Sequence, residues 1–166
     1  MCVKSGVLCP RCQSLVDSGK VDPREVDIMR ELIKLEESGM HVLKNATYYK
    51  TYFIDSDMAI IVIDLGVGSS VPIYTKNAKP IEHKLGQALG MRVKLIPRTG
   101  DIRSLAMHLL YPARLLGVNT LWLPDGSIEY VVRVNRRDRR IIEPRRELYE
   151  RILGELAGKK VRIRFE

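Results

Sequence analysis

The chain has 166 residues, 45% of them hydrophobic and 29% charged, a balance that suits a folded protein with one core or two small ones. No apolar run approaches the roughly 20 residues a bilayer requires, and the first residues lack the apolar stretch of a signal peptide, so the sequence excludes a spanning helix and points to the cytoplasm. A formal net charge of +8 implies an anionic partner, and nucleic acid is the commonest one.

All three cysteines, Cys2, Cys9 and Cys12, fall in the first dozen residues, which argues against a disulfide framework. Cys9-Pro10-Arg11-Cys12 has the two-residue spacing that lets two thiolates reach one tetrahedral ion, with Cys2 as a third ligand. A structural zinc knuckle over residues 1–20 is one expectation. Its fourth ligand is unidentified: it lies before Met1, or it is His41 or another side chain, or the spacing is incidental and no metal binds.

Asp22-Pro23-Arg24-Glu25 is a helix start, with Asp22 as N-cap, Pro23 in the first turn and Glu25 where a capping box places it. Val26, Met29, Leu32 and Ile33 continue an amphipathic helix that Gly39 stops. Two strands are expected near Thr47 to Ile54 and Met58 to Asp64, joined by a turn at Asp55-Ser56-Asp57. A loop holding Gly66, Gly68, Ser69 and Ser70 leads past Ile73 to Lys76-Asn77-Ala78-Lys79. A shorter helix with Ile81, Leu85 and Leu89 follows, then Gly90 and the strand Met91 to Ile96.

After Pro97-Arg98-Thr99-Gly100 the order recurs. Asp101 caps a helix carrying Ile102, Leu105, Ala106 and Leu109, which Pro112 ends. Strands are expected near Thr120 to Leu123 and Ile128 to Val134 around the turn Pro124-Asp125-Gly126, with Trp122 and Tyr130 in the core or on a sheet face. An arginine-rich turn, an amphipathic helix ending at Gly158 and a last strand with basic outer positions complete the chain.

The recurrence extends to single residues. Leu85-Gly86 and Gly90 match Leu153-Gly154 and Gly158, and Val93 matches Val161, all at an offset of 68 (153 against 85). Ile73 pairs with Ile141 and Ile60 with Ile128 at the same offset, which implies an ungapped duplication from the middle strand onward.

Helix, two strands, two short helices and a closing strand resemble the type II KH domain, and two in tandem resemble the archaeal NusA-like transcription proteins. The resemblance covers residues 22 to 166 and implies an α+β fold: a cysteine knuckle (1–20), a first KH-like unit (21–98) and a second (99–166). In that family a GxxG loop between the paired helices admits the nucleic-acid backbone. Here Lys76-Asn77-Ala78-Lys79 and Ile141-Ile142-Glu143-Pro144-Arg145 stand in its place, so positive charge substitutes for glycine. The expected RNA contacts are therefore Lys76 and Lys79 in the first unit, and Arg136, Arg137, Arg139, Arg140, Arg145 and Arg146 in the second. Guanidinium forks match phosphate oxygens.

The resulting expectation is a non-catalytic RNA-binding protein of the transcription or translation apparatus, with RNA, and RNA polymerase or the ribosome, as partners and no small-molecule substrate. His41, His83 and His108 are scattered, and no nucleophile or carboxylate pair has catalytic spacing, so an enzyme is not expected. The competing expectation is a protein-binding adaptor whose KH-like units no longer bind RNA.

Overall fold

Two helix starts carry the caps the sequence encodes. In a computed structural model describing residues 9–20, 22–54, 57–68 and 70–166, Asp22 Oδ1 accepts from Arg24 N–H (2.9 Å) and Glu25 Oε2 accepts from Asp22 N–H (3.0 Å), which closes the capping box of α2 (Pro23–Glu37). Asp101 likewise caps α4 (Ile102–Leu110) by accepting from Arg103 and Ser104 N–H. A further helix, α1 (Pro10–Asp17), begins where Cys9 serves as N-cap and Pro10 supplies the first turn, so Cys12 lies on a helix.

The chain divides into two compact units, Met1–Gly68 with Pro72–Leu95, and Ser69–Val71 with Ile96–Glu166. Each contains a three-stranded sheet, so the protein is mixed α+β. In the first, β1 (Thr47–Ile54) pairs antiparallel with β2 (Met58–Asp64), and β3 (Arg92–Ile96) lies on the other side of β2. The core is built from Ile28 and Leu32 of α2, Ile61 and Ile63 of β2, and the stripe Tyr74, Ala78, Ile81 and Leu85 of α3 (Val71–Leu89). Glu25 does more than cap: its Oε1 accepts from Thr51 N–H (2.9 Å) and Tyr48 O–H (3.0 Å), pinning α2 to β1.

The path to α3 differs from the expected loop and short helix. One helix runs from Val71 to Leu89, through Lys76–Lys79 and with Pro80 inside it. Proline in a helix interior removes a hydrogen bond and costs about 3 kcal/mol in isolation. The buried stripe at spacings of four, three and four offsets that cost, because a break at Pro80 would pull Tyr74 and Ala78 out of the core.

In the second unit, β4 (Leu115–Trp122) pairs antiparallel with β5 (Ile128–Val134), and β5 pairs parallel with β6 (Lys160–Phe165), from Glu129 opposite Lys160 to Val134 opposite Phe165. Between β5 and β6 come a 3₁₀ turn (Arg136–Asp138), the one-turn helix α5 (Arg139–Ile142), a second 3₁₀ turn (Glu143–Arg145) and α6 (Arg146–Ala157). Here Pro144 falls at the start of a 3₁₀ turn and does interrupt the helix.

The duplication has a physical basis. Leu95 N–H donates to Glu82 Oε1 at 2.8 Å, and Ile163 N–H donates to Glu150 Oε1 at 2.8 Å, the same bond 68 positions on. Gly90 and Gly158 end the helices at φ of 67° and 70°, a backbone state that favours glycine. The offset does not extend to the middle strands. Arg92 N–H bonds to Asp57 C=O, whereas Glu166 N–H bonds to Val134 C=O, so the middle strands correspond at 71. Buried Ile61 and Ile63 then match buried Val132 and Val134, and the pairing of Ile60 with Ile128 is corrected. The three extra residues of the first unit lie between β2 and α3.

Gly86 and Gly154 are equivalent but not equally crowded. A Cβ on Gly86 would lie 2.9 Å from the Met91 carbonyl oxygen, and one on Gly154 would lie 3.3 Å from that of Lys159. Alanine gains about 1 kcal/mol of helix propensity at either site. Gly86→Ala is expected to be destabilising by about 1–3 kcal/mol, because backbone must move. Gly154→Ala should stay within about 1 kcal/mol of the parent, and urea unfolding of both variants checks the ranking.

Candidate nucleic-acid interface

The second unit concentrates its arginines along β6. Arg136 follows β5, and its N–H donates to Glu166 C=O (2.8 Å), which carries the chain from the end of β5 across the end of β6. Arg139 opens α5 and Arg146 opens α6. These three side chains, with Arg162 and Arg164 of β6, line an open cleft of about 450 Å³ whose apolar lining is Leu121, Val131, Ile163 and Phe165. The guanidinium carbons of Arg139 and Arg146 lie 5.8 and 5.9 Å from the centre of the Phe165 ring, within cation–π range.

Carboxylates hold most of these forks through Nε. Arg139 pairs with Glu143 (3.2 Å), Arg146 with Glu150 (3.2 Å), Arg162 with Glu129 (3.3 Å) and Arg164 with Glu166 (3.7 Å). Glu129 is shared with Lys160, and Glu166 lies 3.4 Å from the buried Arg133 Nε, close enough for an ion pair though not aligned as a hydrogen bond. Four carboxylates thus serve six cations, and Arg136 adds a seventh, so the region stays positive. The exposed pairs, Arg139 with Glu143 and Arg164 with Glu166, are worth at most about 1 kcal/mol each, whereas Glu129 is buried and depends on its cations. The exposed pairs orient Arg139 and Arg164 at little cost to exchanging a carboxylate for a phosphate.

Of the residues expected from sequence, Arg136, Arg139 and Arg146 come together. Arg137 and Arg140 are exposed and Arg145 is half-buried, all three outside the cleft lining. Lys76 and Lys79 are exposed on α3 of the first unit, in a helix and not a loop. Arg162, Arg164 and Phe165 join the site. Their signal was the alternation Lys160-Val161-Arg162-Ile163-Arg164-Phe165, which turns one face of a strand basic. Of the expected core or sheet-face position for Trp122, the core is ruled out: it lies in β4 opposite Ile128 and is 71% exposed.

The first unit has no equivalent arginine set. Sixty-eight positions before Arg146, Arg162 and Arg164 stand Ala78, Lys94 and Ile96, of which Ala78 and Ile96 are buried. Burial pushes the half-buried Lys94 ammonium down to about 8, against the pull of the Glu82 carboxylate, and burial raises Glu82 above its ordinary range.

At the N-terminal end, Cys12 N–H points at Cys9 Sγ (3.5 Å), and both thiols are partly buried. Cys2 lies outside the described residues. Among the described residues no three His, Cys, Asp or Glu side chains gather as a metal site, and no helix is long and apolar enough to cross a membrane. His41 lies in the 3₁₀ turn His41–Asn45 and His83 is exposed on α3, while His108 is buried in α4.

No family model and no curated protein matches the chain. Among solved structures, the crystal structure of APE1850 is similar at 17% identity, with a TM-score of 0.51 over 82% of this chain and 96% of that one. At that identity the likeness concerns the fold alone.

Proposed function

We propose that the protein is a non-catalytic RNA-binding protein of the NusA-like kind, with two type II KH-like units, acting in transcription or translation. The observation that carries this reading is the arginine cleft along β6, where guanidinium groups paired with carboxylates share the lining with Leu121, Val131, Ile163 and Phe165. Such a site suits a phosphate backbone with unpaired bases beside it. Side-chain charge takes the part that backbone amides play at a glycine loop, so binding is strongly salt-dependent and weakly selective for sequence.

A protein-docking adaptor is the second reading, and β4 favours it. That edge strand carries no charged residue and exposes Leu116, Leu121 and Trp122, the kind of edge that recruits another chain.

Zinc belongs to the same proposal, held by Cys9 and Cys12 with Cys2. The Cys12 amide pointed at Cys9 Sγ is the kind of hydrogen bond that steadies a metal-bound thiolate. Metal analysis of protein purified without chelator should find about one zinc per chain, lost on changing Cys9 and Cys12 to serine. Zinc-free parent protein that melts at the same temperature with and without added metal would contradict this.

For the cleft, titration with a single-stranded RNA across a salt series separates the two readings. The Arg139→Ala/Arg164→Ala variant should bind more weakly, with a slope of log affinity against log salt shallower by about 1.4 (two contacts of 0.7). An Arg151→Ala/Lys159→Ala variant, equal in charge but outside the cleft, should keep the parent slope. Equal slopes in all three proteins, or no parent binding at moderate salt, would favour the adaptor.

A further inference from the structure

Between Val71 and Arg98, six residues are identical to those 68 positions on, and five have a structural reason. Glu82 and Glu150 accept the amide of the closing strand. Leu85 and Leu153 are fully buried. Gly86 and Gly154 face a carbonyl oxygen, and Gly90 and Gly158 adopt positive φ. Val93 packs against the first core and Val161 is buried in the second unit. The sixth pair is Ile73 and Ile141, which are 50% and 46% exposed.

Scattered apolar residues on a surface need no explanation. A matched pair is different: the surface around it has diverged almost completely while this residue stayed the same type with the same exposure. Its neighbours are cations. Lys76 lies one turn beyond Ile73 on α3, and Arg137 and Arg140 precede Ile141, whereas the next residues, Tyr74 and Ile142, are buried in both units.

We infer that Ile73 and Ile141 are the apolar half of an RNA contact repeated in each unit, each isoleucine lying against a base or ribose face while the adjacent cations take the phosphates. This rests on the RNA-binding reading. It also gives Arg137 and Arg140 a place in binding, although they lie outside the β6 cleft. An apolar contact releases no counterions, so its removal lowers affinity equally at every salt concentration.

The test uses the full chain, an Ile73→Ser/Ile141→Ser variant and an oligouridine of about 12 nucleotides, a length that spans a single-strand site. Affinity of the variant should fall about tenfold with the salt slope unchanged. Its melting temperature should match the parent's. Equal affinity in parent and variant overturns the inference and leaves the RNA-binding reading standing. A lowered melting temperature overturns it too, since the isoleucines would then be structural, and so does a shallower salt slope. Failure of the parent to bind removes the RNA-binding reading and this inference with it.

Discussion

In both units a glutamate on the long helix accepts the backbone N–H of the closing strand, Glu82 from Leu95 and Glu150 from Ile163, each at 2.8 Å. The donor in each case belongs to a buried residue, and a buried amide without a partner costs about 1–3 kcal/mol. The bond fixes helix and strand in one register, which sets the rest. The helix must end abruptly to let the strand return beside it, hence a left-handed glycine at the helix end and a second glycine, one turn earlier, against the carbonyl of the returning chain. In the second unit the same Glu150 oxygen also holds Arg146 Nε, so the bond that closes the fold aims an arginine into the cleft.

One scaffold therefore carries two chemistries. Where the second copy of the repeat has Arg146, Arg162 and Arg164, the first copy has Ala78, Lys94 and Ile96, and the change follows burial. Ala78 and Ile96 are buried, where an arginine would need a paired charge, and Lys94 already loses part of its basicity to its surroundings. The second unit turns the corresponding strand positions outward, and Arg162 and Arg164 are free to be charged. Duplication has kept the frame and let charge accumulate on one copy.

Much of that frame was legible in the sequence, because its signals are local. Asp22-Pro23 and Asp101 announce helix starts through short-range hydrogen bonds, and the paired glycines announce helix ends. What escaped depends on tertiary contacts. Helix α3 runs through Lys76–Lys79 and Pro80 because a buried stripe holds it, and charge and proline there read as a break. The middle strands correspond at 71 because three residues were added in a loop, where length is cheap, and β2 is apolar at nearly every position, so a slip of three leaves the pattern intact. Half the expected arginines gather at the cleft and half do not. Two 3₁₀ turns and a one-turn helix send successive side chains in different directions, which spacing alone does not reveal.

The proposed function requires that the β6 cleft, and not the β4 edge, meets the partner, and that the partner is RNA. Backbone and arginine side-chain NMR shifts of the isotope-labelled chain, followed while a single-stranded RNA is added at moderate salt, test it most directly. Shifts are expected at Phe165, at the Nε–H groups of Arg139, Arg146 and Arg164, and around Arg136, while β4 from Val118 to Thr120 stays still. Shifts confined to β4, or a spectrum unchanged at saturating RNA, would contradict it.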